Sequence, residues 1–198
     1  MSGSSYSTLY NLAEDQMGYV TPAQGRGVGV SAQAMVMMER RGTLERVSRG
    51  VYRLVDFPTV AHAQYMQATL WPAGIRGVLS HETALSLHQL SDVAPAKVHI
   101  AVPIGFRVQR EIPGYLVVHH EDLPSEDVSR LEGMPITTPA RTIRDCNAAH
   151  LGPALIRQAI DEARRSGMLD AATVAALDAA LRTGDGGVEA VALRRVPK

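Results

Sequence analysis

Residues Ser31 to Leu54 read SAQAMVMMERRGTLERVSRGVYRL, and this stretch decides the fold. Ser31 is a residue type that starts helices, because its side-chain oxygen accepts a hydrogen bond from a free backbone N–H. Met35 and Met38 follow at i, i+3 spacing, and Arg40-Arg41-Gly42 supplies the cations and glycine that end a helix. Leu44-Glu45-Arg46-Val47 and Val51-Tyr52-Arg53-Leu54 then alternate apolar and polar around Ser48-Arg49-Gly50, the pattern of a β-hairpin. A short helix followed by a hairpin with arginine at its tip predicts a winged helix-turn-helix. The helix would enter the DNA major groove and the hairpin would reach the backbone or minor groove. The plainer alternative is a helix and hairpin packed inside any small α+β domain.

The residues upstream favour the first reading. Leu9, Leu12 and Ala13 predict a helix over 7–16, after a polar tail from Met1 to Ser5. Thr21-Pro22-Ala23-Gln24 has a threonine cap, proline at the first helical position and Gln at N3, which together form a capping box. That second helix must be short, since Gly25, Gly27 and Gly29 follow at once. The run G-R-G-V-G lacks the GxGxxG register and no apolar strand precedes it, so it reads as a helix-to-helix turn. Asp56-Phe57-Pro58 breaks the pattern. The expected organisation is therefore a winged helix-turn-helix over 1–57 and an α+β domain over 58–198.

Beyond Pro58, Val60, Ala63, Met66, Leu70 and Trp71 mark a helix ended by Pro72, suited to packing on the winged domain. Gly77-Val78-Leu79 is a short apolar piece, and Ser80 is expected to cap a helix through Leu90. Lys97 to Val102 alternates, with Val98, Ile100 and Val102 on one face. Tyr115 to His120 and Met134 to Thr137 are further strand candidates. Thr138-Pro139 starts a helix towards Ala149. Leu155, Ile156, Ala159, Ile160 and Ala163 form an amphipathic helix, and Asp170 caps a last one with Val174, Leu177 and Leu181 inward. The glycine-rich tail from Thr183 is expected to fray. Fold class is thus α+β, a small mixed α/β domain with a helical C-terminal end following the winged helix.

Composition narrows the function. The 198 residues carry 20 basic and 20 acidic side chains, net charge +0, so the protein is not basic overall. The charge is local: Arg26, Arg40, Arg41, Arg46, Arg49 and Arg53 oppose only Glu39 and Glu45 between Arg26 and Leu54. No run approaches the ~20 apolar residues of a membrane span. MSGSSYSTLYNLAED has no basic n-region before an apolar block, and the single Cys146 forbids an internal disulfide. A cytoplasmic protein is the expectation.

No residue set stands out as catalytic, and neither metal nor cofactor is expected. His81 and His88 share a predicted helix but lie about 10 Å apart along its axis, too far for one zinc ion. His119-His120-Glu121-Asp122 ends a strand, where adjacent side chains point to opposite faces. A small hydrolase built on it is the remote alternative. Cys146 reads as buried and inert. Arg141, Arg144 and Asp145 read as a structural polar network at a helix start. Neither a GxSxG elbow nor a GxxxxGK[ST] loop is present.

The ordered segments RRGTLERVSRGVYRL, SHETALSLHQL, VHIAVP, VVHH and GMPITTPARTIRDC resemble the AbiEi family of bacterial antitoxins, over roughly Leu9 to Arg165. The resemblance implies the antitoxin half of a type IV toxin–antitoxin pair whose toxin is a nucleotidyltransferase. The N-terminal domain would bind inverted repeats in its own promoter and repress the operon, and the remainder would counteract the toxin. The DNA-binding residues expected here are Ser31, Gln33, Val36, Met37, Arg40, Arg41, Arg46, Arg49 and Arg53. One departure is that the outward positions of the reading helix, Ala32, Gln33, Val36 and Met37, carry no cation before Arg40. Direct reading of guanine by arginine is then largely excluded, leaving thymine methyls, Gln33 on adenine and phosphate anchoring. A purely protein-binding antitoxin, with Val36 and Met37 in an interface, is the alternative.

Overall fold

Thr21 and Gln24 cap each other as expected. The Gln24 N–H donates to Thr21 Oγ1 at 3.3 Å and the Thr21 N–H donates to Gln24 Oε1 at 2.9 Å. This cap starts α2, Pro22–Gly27. The computed structural model describes residues 2–72, 74–107 and 111–183. It places α1 at Ser2–Glu14, so the helix begins within the stretch expected to be a polar tail. Ser31 Oγ accepts from the Ala34 N–H at 3.1 Å and opens α3, Ala32–Arg40. The hairpin follows as β2, Leu44–Ser48, and β3, Val51–Leu54. Ser48 pairs with Val51, leaving Arg49-Gly50 as the turn, with Gly50 at φ +82°. A register shift between Arg46 and Ser48 absorbs the extra residue.

One strand was not legible. Tyr19–Val20 forms β1, antiparallel to β3, in a sheet of order β1-β3-β2. Two residues are too few to show alternation. Gly18, just before it, lies at φ +86°, and a Cβ there would sit 2.6 Å from the Phe57 ring. Gly18→Ala is therefore expected to cost about 2–4 kcal/mol, combining a left-handed residue with overpacking. A shift of the urea midpoint with unchanged m-value is the measurement.

The second half holds α4, Ala63–Leu70, and a sheet of order β6-β5-β4-β8-β7. Its strands are β4 (Val78–Leu79), β5 (Val98–Val102), β6 (Leu116–His120), β7 (Val128–Leu131) and β8 (Met134–Thr137). β5 runs parallel to β6 and β4 parallel to β8, while β4–β5 and β7–β8 are antiparallel. β7 is the second strand missed. It meets β8 through Glu132-Gly133, both with positive φ, a hairpin turn without the usual Asn-Gly signature. On β5 the expected single buried face is not what forms. Ile100, Ala101 and Val102 are all buried, because an interior strand is covered on both faces.

Helices α5 (His81–Leu87), α6 (Pro139–Ala148), α7 (Pro153–Arg165) and α8 (Ala171–Thr183) complete the chain. Leu85, Ile143, Cys146, Ile156, Ile160 and Val174 form their common core. α5 stops before Leu90, with Gln89 left-handed at φ +57°. Asp170 Oδ1 accepts from the Thr173 N–H at 2.7 Å, as its capping role requires. The tail past Thr183 lies outside the described residues.

The hairpin sheet buries both faces. Val20, Leu44, Tyr52 and Leu54 pack with Leu9, Met35 and Met38. Tyr19 and Val51 instead join Met66, Leu70, Leu79, Ile100 and Ile136. Residues on either side of Pro58 thus share one core.

Candidate nucleic-acid interface

α3 sits on the N-terminal core through its Met35/Met38 stripe, at 0% and 6% exposure. Its other side is left to solvent: Gln33 and Arg40 are exposed, with Val36 at 37% and Met37 at 43%. Ser31 is exposed, its hydroxyl occupied by the cap. Arg41, at the C-cap, is exposed, as are Arg46 on β2 and Arg49 in the turn. Gly42 and Thr43 alone separate Arg41 from β2, so the helix and hairpin cations follow each other closely in the chain.

Arg53 is placed differently. It is half-buried, opposite both Tyr19 and Glu45 in register, and its Nη2 donates to the Phe57 carbonyl at 2.6 Å. Its guanidinium ties β3 to the segment after the hairpin. A sequence pattern cannot show this, because the acceptor is a backbone carbonyl in an irregular segment.

The N-terminal helices are also tied to the second half by polar contacts. Gln16, 4% exposed, accepts at Oε1 from Gln24 Nε2 and from Arg76 Nη1, both at 2.7 Å. An open cavity of about 480 Å³ lies beside this contact, lined among others by Pro22, Arg26, Gly50, Leu70 and Arg76. The hairpin turn therefore lies beside the end of α4. Only one end of this network, the Thr21/Gln24 cap, was legible.

A second polar site lies in the other sheet. His99 and His119 lie on neighbouring parallel strands, two register positions apart, with His99 Nδ1 and His119 Nε2 at 3.1 Å. His81, first residue of α5, stacks on His119 with ring centroids 3.5 Å apart and planes at 10°. Its Nε2 lies 3.4 Å from Glu121 Oε1. Glu121 Oε2 accepts from Arg141 Nη2 at 2.6 Å, and Arg141 also reaches Asp127 at 3.1 Å and Asp145 at 2.6 Å. Arg144 shares Asp127 at 2.9 Å.

Burial, helped by the neighbouring imidazoles, pushes His81 down to about 3 and His119 down to about 4. Burial likewise raises Asp145 to about 6 despite its arginine. His81 is 6% exposed and adopts φ +51°, a left-handed conformation unusual for a side-chain-bearing residue. The expected Ser80 cap is not made; Ser80 Oγ lies 3.1 Å from His81 Nδ1 instead.

His88, the C-cap of α5, has its Nε2 at 2.8 Å from the Thr137 carbonyl, and His120 is exposed on its strand. One grouping of possible ligand atoms was not legible in the sequence. His81, His119 and Glu121 offer ligand atoms all within 4.8 Å of one another. His81 and His119 are 38 positions apart, and only the topology brings them together. Cys146 is 1% exposed with its thiol pushed up to about 12 by burial, which makes it a poor nucleophile.

Among the described residues no helix is long and apolar enough to cross a membrane. No curated protein matches the chain. Among solved structures it is similar to the RV2827C protein from Mycobacterium tuberculosis, at 15% identity and a TM-score of 0.47, covering 93% of this chain and 78% of that one. Residues 7–55, from within α1 to just past β3, match the family model described as "Transcriptional regulator, AbiEi antitoxin". The similarity to that family of transcriptional regulators is thus carried by the N-terminal segment, from α1 to the hairpin.

Proposed function

We propose that residues 1–57 act as a winged helix-turn-helix that binds inverted repeats in the chain's own promoter and represses its operon. Residues 58–198 would counteract a nucleotidyltransferase toxin, as a non-enzymatic cytoplasmic antitoxin. The observation that carries the DNA reading is the solvent-facing side of α3, Gln33-Val36-Met37-Arg40, presented by a helix whose opposite stripe is locked in the core. Gln33 can pair with adenine N6/N7, and Val36 and Met37 can meet thymine methyls. Arg40, Arg41, Arg46 and Arg49 suit phosphate, which positions a protein without specifying sequence. Arg53, bonded to Phe57, would hold the hairpin in place for them. Inverted repeats imply two copies on half-sites about one helical turn apart.

The test is a titration of the purified chain against its upstream DNA at several salt concentrations. Arg49→Ala is expected to weaken binding to all sequences alike. It should also flatten the slope of log K against log salt by about 0.9 for each phosphate no longer neutralised. An unchanged affinity and slope would remove the wing from the interface. No binding of the wild-type chain to that DNA would favour the second reading, in which Val36 and Met37 cover a protein partner.

Because Tyr19 and Val51 share a core with α4 and the larger sheet, cutting the chain at Pro58 would expose Met66 and Leu70. The division of labour is therefore better tested with point variants of the whole chain, scored for repression and for growth rescue from the toxin.

A further inference from the structure

Four segments far apart in the chain, around His81, His99, His119–Glu121 and Arg141, converge at one place that DNA reading leaves without a task. We propose that His81, His119 and Glu121 bind one divalent transition-metal ion, zinc by donor chemistry, with a water completing the coordination. Two imidazoles and one carboxylate are a donor set that zinc accepts in tetrahedral sites with an open fourth position. The spacing fits. Ligand atoms of the three residues lie within 4.8 Å of one another, and His81 Nε2 and Glu121 Oε1 are 3.4 Å apart. Two donors bound at about 2 Å to one tetrahedral ion sit roughly 3.3 Å from each other.

Each proposed ligand also has an outer partner that orients it, as bound metals require. His81 Nδ1 meets Ser80 Oγ at 3.1 Å and His119 Nε2 meets His99 Nδ1 at 3.1 Å. Glu121 keeps Oε1 towards His81, while Arg141 holds its other oxygen at 2.6 Å. Because His119 Nε2 faces His99 Nδ1, the other ring nitrogen, Nδ1, is the one proposed to take the ion. The stacked rings run nearly parallel at 10°, so their lone pairs lie side by side rather than converging. Binding therefore turns one ring out of the stack, and the metal-bound form differs from this one by that rotation. The site lies in the second half of the chain and does not depend on the DNA-reading proposal.

The test uses the full chain, stripped with chelator, then dialysed against zinc and, separately, titrated with cobalt(II). Wild type is expected to hold one zinc per chain and to give the intense visible absorption of low-coordinate cobalt. Glu121→Gln, which keeps an acceptor for Arg141, and His119→Gln are each expected to weaken zinc binding by at least about 10-fold. A triple variant of histidines outside the cluster, His62→Gln, His120→Gln and His150→Gln, should bind like wild type. No zinc on wild type, only the pale absorption of octahedral cobalt, or zinc lost in the triple variant but kept in Glu121→Gln and His119→Gln, would overturn the proposal. Circular dichroism of each variant checks that it is folded. If a cluster variant does not fold, the wild-type stoichiometry and cobalt absorption decide alone.

Discussion

Arg141→Ala is expected to destabilise the protein by about 3–5 kcal/mol, the largest loss from any single charged side chain among the described residues. Arg141 is 17% exposed and its guanidinium holds Glu121, Asp127 and Asp145 at once. Removing it leaves three carboxylates crowded together, with only the more exposed Arg144 to offset them at Asp127. Asp145 is 7% exposed, and its Oδ2 already lacks a hydrogen-bond partner. The loss comes mostly from stranding buried charge, since replacing a whole buried ion cluster by apolar groups can be neutral.

The sign of the pH dependence follows from Asp145. Its folded pKa, about 6, lies above the unfolded carboxylate value, so the folded state binds the proton more tightly. Its charged form therefore costs stability above pH 6, and that cost is relieved as pH falls from 6 towards 4. Without Arg141 the folded pKa rises further. The penalty of Arg141→Ala should then shrink between pH 8 and pH 5.5, measured by urea unfolding in chelator. Arg141→Lys keeps one positive charge but loses the three-way fork, and should fall between wild type and alanine. A penalty below about 1 kcal/mol at pH 8 would make the cluster no more than a surface ion pair.

Val36→Glu is expected to lower affinity for the upstream DNA by about 100-fold or more while leaving the fold intact. Loss of a base contact accounts for about 1–3 kcal/mol, and a carboxylate facing phosphate adds repulsion. Val36 is 37% exposed and stands outside the Met35/Met38 stripe, so its replacement should change stability by no more than about 0.5 kcal/mol. Met35→Glu, at a fully buried position, should instead unfold the N-terminal core. Full DNA affinity of a folded Val36→Glu protein would show that α3 is not the reading helix.

The elements that the sequence announced are those whose determinants are local. Thr21 with Gln24, Ser31 with Ala34, Thr138 with Arg141 and Asp170 with Thr173 each close a cap within three residues, and all four were readable. The Met35/Met38 phase of α3 was readable for the same reason, since a helix repeats its buried face within one or two turns. From it came the exposure of Gln33, Val36 and Met37. β1 and β7 were not readable. The first is two residues long, and the second turns into β8 through Glu132-Gly133 instead of a standard turn pair.

The sequence by itself therefore determined the helices, the hairpin, the exposed face of α3 and the family resemblance, because each rests on neighbours along the chain. Tertiary structure alone decided that the hairpin sheet is buried on both faces, that Arg53 turns to Phe57, and that His81, His119 and Glu121 meet. It also decided that Arg141, whose network with Asp145 on the same helix was readable, reaches the carboxylates at positions 121 and 127. These contacts join residues tens of positions apart or fall in irregular segments. Spacing rules describe one helix or one strand, whereas which elements lie side by side is set by the register of β5 on β6, the packing of α5 on the sheet and that of α6 on α5.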